Sequence, residues 1–584
     1  MRSNETFRRH ARVLLAGLVL GASLLNAAED ITAPVATAAS TTTSTNGTQS
    51  PSDEIAQLRA LLAAQQKQLE SLQHAVEQQQ KLLEKTADST NALQTLRPNL
   101  GSVASITPVL PVPAAAMPAL PAYPSPRPQA APTAGGNPCE AAPDAAQVPP
   151  YIRIGNTCMI PIGFMDLTSV WRDKNAGSSM GSNFGSIPYN NTVNGNLSEF
   201  RFSPQNSRIG FRFDGDWKGT HFIGYNEFDF NGTSGSNGIA VNNGAFVPRL
   251  RLFWVDVRKD KMEFLAGQSW SLLTPNRKGL SALPGDLFYT QVIDINYVAG
   301  LTWTRQPGMR VLFHPNEKVT FGVSAEQPDQ YGGGSAGGSS ITFPANFALG
   351  NSQVDISQNV SAGQNILNQP SVTPDIIAKL AFDPNSKFHF EVGGIESAFK
   401  TVNPALLSQH FTASGEGLLF GANAEVFNGV RLITTNFYSD GEGRYLFGQA
   451  PDLIIRGNGT ISPIHSDGTI DGVEATIKNT LLYGYYSGIY IGRDTAIDAN
   501  GKSLIGYGYT GSANSQNRAI NEISLGFNQT MWRNPRYGAI NLMGQYEWLE
   551  RDPWYVAVGA PKNTHDNTIY INVRYSLPGS MPNF

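Results

Sequence analysis

The sequence predicts an all-β chain, a transmembrane antiparallel β-barrel of about 16 strands, preceded by a short coiled-coil helix and a proline-rich linker. Three observations predict it. The segment running from Thr568 through Ile569, Tyr570, Ile571, Asn572, Val573 and Arg574 to Tyr575 alternates strictly: Ile569, Ile571, Val573 and Tyr575 share one face, and Tyr570, Asn572 and Arg574 the other. Many such segments fill the last roughly 400 residues, and apolar-out, polar-in strands of this length suit a closed barrel, because lipid cannot satisfy the open edge of any other sheet. Mean hydropathy is −0.22, and beyond the N-terminus no run of about 18 apolar residues occurs, which excludes transmembrane helices. Short turns also alternate with long Gly/Asn/Ser loops.

The chain has 584 residues, 15% of them charged, and a net charge of −4. Arg2, Arg8, Arg9 and Arg12 precede an apolar run over residues 13–25, with Ala27 and Ala28 after it. Residues 1–28 therefore read as a secretory signal peptide. Residues 29–49 are Ala/Thr/Ser-rich and are expected to be disordered. A helix opens at Ser50, with Pro51 suited to its first position and Asp53 three residues after the cap. Over residues 50–96 the sequence reads as a short coiled coil, in which Ile55, Leu58, Leu62, Leu69, Leu72, Val76 and Leu83 occupy a and d positions of one heptad frame. Gln65 and Gln79 fill two d layers. A parallel homo-oligomer follows, dimer and trimer being inseparable from these residues. Residues 97–150 are rich in proline and alanine and are expected to act as a semi-rigid spacer at about 3.1 Å per residue, the alternative being a ligand for a peptide-binding partner.

Residues 151–584 are expected to form the barrel. Short turns are expected at Asp214-Gly215, Lys259-Asp260-Lys261, Pro315-Asn316-Glu317, Asp383-Pro384-Asn385, Asn428-Gly429 and Asn534-Pro535-Arg536. Long loops are expected at 174–196, 327–372, 444–471 and 494–518. In the second strand Glu199 and Arg201 alternate with Phe200 and Phe202, and after a bulge at Pro204, Arg208 and Arg212 alternate with Ile209, Phe211 and Phe213. In the fourth, Arg249 and Arg251 are expected to oppose Leu250, Leu252 and Trp254.

The two cysteines, Cys139 and Cys158, lie just before the first convincing strand. An even pair in an exported chain points to one disulfide, stapling the linker to the barrel.

Candidate pore-lining residues are Arg201, Arg208, Arg212, Arg249, Arg251 and Arg310, with Glu227 and Asp229 on the intervening strand as partners. Guanidinium groups in a narrow channel would concentrate anions and bind carboxylates in bidentate fashion. The bland reading is that they bridge lumen carboxylates and hold loops in place. The segment 273–300 is too long for a turn and carries Asp286 and Asp294; folded into the lumen it would form a constriction. The eight histidines show no metal spacing, Gly333-Gly334-Ser335-Ala336-Gly337 lies in a Gly/Ser-rich loop, and no basic tract suits nucleic acid. No enzyme, metal or cofactor is therefore expected.

Asn206-Ser207-Arg208-Ile209-Gly210-Phe211 resembles a porin second-strand motif, and Leu265-Ala266-Gly267-Gln268-Ser269-Trp270-Ser271 resembles the strand leading into a porin's third loop. Ala282-Leu283-Pro284-Gly285-Asp286 and Thr304-Arg305-Gln306-Pro307-Gly308-Met309-Arg310 are similar to segments of DcaP-like trimeric porins. That resemblance implies a homotrimer of 16-stranded barrels in the outer membrane of a Gram-negative-type bacterium, with its coil in the periplasm. It also implies contact with outer-membrane lipid and lipopolysaccharide and passage of small anionic solutes, dicarboxylates included. The cysteine pair, the long linker and the Pro-Asn before Phe584 depart from the family pattern. The alternative is a structural anchor, whose coil and linker contact the cell wall or a periplasmic partner while a plugged barrel holds it in the membrane.

Overall fold

The computed structural model describes residues 150–580 apart from 177, 179, 233–245, 288–290, 335–337, 339, 347–372 and 404. The expected signal peptide, the coil with Ile55, Leu58, Leu62, Leu69, Leu72, Val76 and Leu83, the proline linker and Cys139 lie outside the described residues.

Sixteen antiparallel strands close on themselves. In chain order they are β1 (Thr157–Arg172), β2 (Glu199–Ser203 and Arg208–Trp217), β3 (Thr220–Gly232), β4 (Val247–Lys259), β5 (Met262–Trp270), β6 (Arg305–Asn316), β7 (Val319–Glu326) and β8 (Asp375–Asn385). There follow β9 (Phe388–Asn403), β10 (Leu406–Phe427), β11 (Val430–Asp440), β12 (His465–Ile477), β13 (Thr480–Ile491), β14 (Asn517–Asn534), β15 (Gly538–Pro553) and β16 (Thr564–Ser576). Closure is between β1 and β16, from Phe164 opposite Ser576 to Arg172 opposite Thr568. The interruption of β2 falls at the expected bulge, and both of its pieces pair with β1.

One end of the barrel carries tight turns and the other mostly long connections, as the pattern of breakers predicts. Two of the turn positions differ from expectation. Asp214 and Gly215 continue β2, and the chain reverses at Lys218 (φ 51°) and Gly219 (φ 77°), because a two-residue hairpin needs positive φ at its centre. Likewise β8 runs through Asn385, and the reversal falls at Ser386 and Lys387. The loop expected to run to Asp471 ends earlier, since β12 begins at His465. The β9–β10 connection lies at the long-loop end but is short, with Asn403 and Leu406 paired across it.

Alternation sets the two faces. On β16, Ile569, Ile571 and Val573 are exposed outward while Tyr570 and Asn572 are buried inward. A bulge in β4 changes two assignments: Leu252 lies opposite Glu227 and Trp254 opposite Tyr225, so both point inward with Arg251. One extra residue inverts every later side chain on a strand, which is why Leu250 faces out and Leu252 does not.

Candidate functional site

The lumen is built from two unlike walls and the segment between β5 and β6. That segment, residues 271–304, folds inward and is held by side chains of distant strands. Lys379 of β8 donates to the Thr274 carbonyl at 2.8 Å and pairs with Glu391 of β9 at 2.9 Å, all three atoms being buried. The Glu391 carboxylate accepts the Asn276 N–H at 3.2 Å. Arg277 grips Glu474 of β12 through two nitrogens, at 2.9 and 2.6 Å. Further on, Tyr485 of β13 accepts the Gln291 N–H at 3.1 Å, and Glu522 of β14 accepts that of Ala299 at 2.7 Å. The loop thus follows the wall from β8 to β16. Trp303 donates its N–H to the Tyr445 carbonyl at 3.0 Å, so the connection 441–464 also turns inward and meets it.

Asp294 is buried as an anchor of this loop. It accepts the Ser182 N–H at 2.8 Å, the Tyr570 hydroxyl at 3.0 Å and the Asn296 N–H at 2.6 Å. Asp286 is half-buried, and its carboxylate lies in electrostatic reach of Lys278, Arg258 and Arg212. The two acids therefore sit differently: Asp294 ties the loop to β16, and Asp286 faces the cationic wall.

That wall is β2 to β4, where the expected arginines meet the expected carboxylates. Arg251 bridges Glu227 at 2.8 Å and Asp229 at 2.7 Å. Arg249 holds Asp229 with two nitrogens, at 3.0 and 2.7 Å, while Arg208 lies 3.5 Å from Glu227. Arg212 grips Asp214 with two contacts of 2.7 Å. Arg201 sits 3.0 Å from Glu199, opposite the inward-facing Val170 of β1. Paired geometry of this kind is the strong form of the guanidinium–carboxylate contact.

The pairs are one-sided. Arg201, Arg249 and Arg212 leave 44, 37 and 26% of their side chains exposed, against 7, 5 and 0% for their partners Glu199, Asp229 and Asp214. The cause is length: carboxylates on short stems stay at the wall, and the longer arginines reach over them into the lumen. Arg251 and Arg310 also point inward but are buried, so they act on the wall more than on the water column. Glu227 and Asp229 are buried as counter-ions.

Further inward arginines lie outside the candidate set, although parity had already placed one of them, Arg574, on the polar face. Arg258 pairs with Asp256 at 2.6 Å and is placed inward by the β4 bulge; Arg574 pairs with Asp166 across the closure at 2.9 Å; Arg172 is fully buried between Glu199 and Tyr570. Arg574 was readable from parity alone, since it alternates with Val573 and Tyr575.

Neither a protein-family model nor a characterised protein sequence matches the chain. Among solved structures, the outer-membrane channel DcaP of Acinetobacter baumannii superposes with a TM-score of 0.53 at 16% identity, covering 73% of this chain and 99% of that one. The chain has the fold of that channel. The anion-selective porin from Comamonas acidovorans also aligns, at a TM-score of 0.40 and 13% identity over 72% of this chain and 99% of that one.

Proposed function

We propose that the protein is an outer-membrane channel for passive diffusion of small hydrophilic solutes, that it prefers anions of the dicarboxylate class, and that it works as a homotrimer. The fold shared with an outer-membrane channel supports the first part. The second rests on the one-sided ion pairs, because a solute in the lumen approaches Arg201, Arg212 and Arg249 before it approaches Glu199, Asp214 and Asp229. In a narrow passage with low-dielectric walls this ordering favours carboxylates and disfavours cations. A dicarboxylate can engage two such guanidinium groups at once. No chemistry on the solute is involved.

Zero-current potentials across a planar bilayer in a KCl gradient test the reading. Anion preference is expected at low salt and should fade near 1 M, where the Debye length is about 3 Å. Cation preference at low salt would overturn it. A purified, inserted protein that carries no current would point instead to the anchor reading.

A further inference from the structure

Residues two or four apart on a strand share a face, so Lys379 and Asp383 of β8 point inward together, as do His389 and Glu391 of β9 just past the reversal at Ser386 and Lys387. The buried His389 ring spans the two carboxylates: Nδ1 lies 2.9 Å from Asp383 Oδ1, and Nε2 lies 3.2 Å from Glu391 Oε2. Ionised carboxylates only accept, so both ring nitrogens donate, and a ring that donates at both is an imidazolium. Neutral imidazole keeps a single N–H and forfeits one of the two contacts. With the ring charged, Lys379 and His389 balance Asp383 and Glu391.

The same two carboxylates catch the tip of the folded-in loop. Asp383 Oδ2 accepts the Gly279 N–H at 3.0 Å, and both Glu391 oxygens lie 3.2 Å from the Asn276 nitrogen. His389 therefore stands behind both catches. The other groups around it do not exchange its proton. On β10, Asn423 lies opposite the ring and is uncharged, while Glu425 faces Arg431 of β11 at 3.9 Å. From the loop, Arg277 is held by Glu474, and Lys278 is exposed. Asp383, with 13% of its side chain exposed, is where water reaches the set.

We infer that His389 is a positioning residue for the tip of the constriction loop, which it holds while the ring carries both protons and loosens when the ring gives one up. Loss of that proton leaves two carboxylates against one cation in a buried patch, and a buried carboxylate short of a partner is strongly unfavourable. The wall around residues 276–279 then rearranges, and the opening fluctuates. This inference rests on the channel part of the proposed function and not on anion preference.

A nitroxide label at Lys278→Cys in the full-length protein, reconstituted in liposomes, reports motion of the tip. Spectra and open-channel current noise are followed from about pH 5 to about pH 9.5, between the ordinary carboxylate and lysine ranges. With His389 and Asp383 intact, the label is expected to be slow at the acid end, then to become faster, with several-fold higher noise, once the ring is neutral. Asp383→Asn is expected to keep the label slow and the current quiet throughout, because its NH2 group can donate to a neutral ring while its oxygen still accepts from Gly279. His389→Gln is expected to be mobile and noisy at every pH. The inference is overturned if the label ignores pH in the parent chain, or if either variant reproduces the parent's pH profile. Two variants keep the test open if one fails to insert. The label needs no current, so a chain that responds to pH without conducting fails the channel reading alone, and one that conducts but ignores pH fails this inference alone.

Discussion

Replacing Arg201, Arg212 and Arg249 together by serine should abolish anion preference while leaving the barrel folded. The fold is expected to survive because each abandoned carboxylate keeps another cation: Glu199 retains Arg172 at 2.9 Å, Asp214 retains His221 at 3.5 Å and Asp229 retains Arg251 at 2.7 Å. The size of the effect follows from Coulomb's law. A monovalent anion passing about 5 Å from one guanidinium in aqueous dielectric gains roughly 0.8 kcal/mol, reduced to about 0.5 kcal/mol by screening at about 0.1 M salt. Three groups give about 1.5 kcal/mol, and because the sign reverses for a cation, the permeability ratio should move by about 3 kcal/mol, or about 100-fold. In a tenfold KCl gradient, where a perfectly selective channel gives about 59 mV, the zero-current potential should shift toward cation preference by several tens of millivolts. Lysine at the same three positions keeps the charge and should keep the sign. An unchanged potential in the serine variant, with heat stability equal to wild type, would refute the idea that these exposed arginines set selectivity.

Deleting residues 31–96 is expected to weaken the proposed trimer without abolishing it, since in that trimer the barrels would also contact one another; identical heat stability on native electrophoresis for both forms would count against a role for the coil. Cys139 and Cys158 are expected to form one disulfide in the exported protein, and mass spectrometry of unreduced peptides that finds two alkylatable thiols would sink that pairing. Lys379→Met should destabilise the barrel by about 3–5 kcal/mol by leaving the buried Glu391 short of a cation, an effect that His389, 3.2 Å from Glu391, will soften. Pairing it with Glu391→Leu should restore much of the loss, and a single variant as heat-stable as wild type would show that this contact does not pin the folded-in loop.

Much of the fold was legible because a barrel repeats one rule. The parity of Ile569, Ile571 and Val573 against Tyr570 and Asn572, the turn at Asn428-Gly429 and the excessive length of the segment after Trp270 each pointed to the observed structure without reference to any other element. What was hidden depends on single-residue insertions and on distant partners. Nothing in Arg251-Leu252-Phe253-Trp254 marks the bulge that turns Leu252 and Trp254 inward, since any of those residues can occupy it. The inward fold of residues 441–464 is held by distant partners, among them the Trp303 backbone N–H, Tyr331 and Asp375. Reading a loop as far as Asp471 also concealed the start of β12, because Asp467, Thr469 and Asp471 look like loop residues until that strand is seen to begin at His465.

The lumen's ion pairs divide by burial into two roles. Lys379 with Glu391 is wholly inaccessible, so water cannot screen it and a solute cannot reach it; Arg251 with Glu227 is covered almost as fully. Such contacts spend their electrostatics on fixing the wall and the constriction loop, and removing one partner exposes the desolvation cost of the other. Arg201, Arg212 and Arg249 are paired too, yet their outer faces stay in water, where each pair contributes little to stability. Their field is what remains for the solute. A chain that must hold a narrow opening at fixed width and still attract a charged passenger needs both kinds; Lys379 with Glu391 on β8 and β9 is of the first, while the outer arginines of β2 to β4 are of the second. Substitutions in the buried set should therefore change heat stability and current noise together, whereas substitutions in the half-exposed set should change selectivity at nearly constant stability.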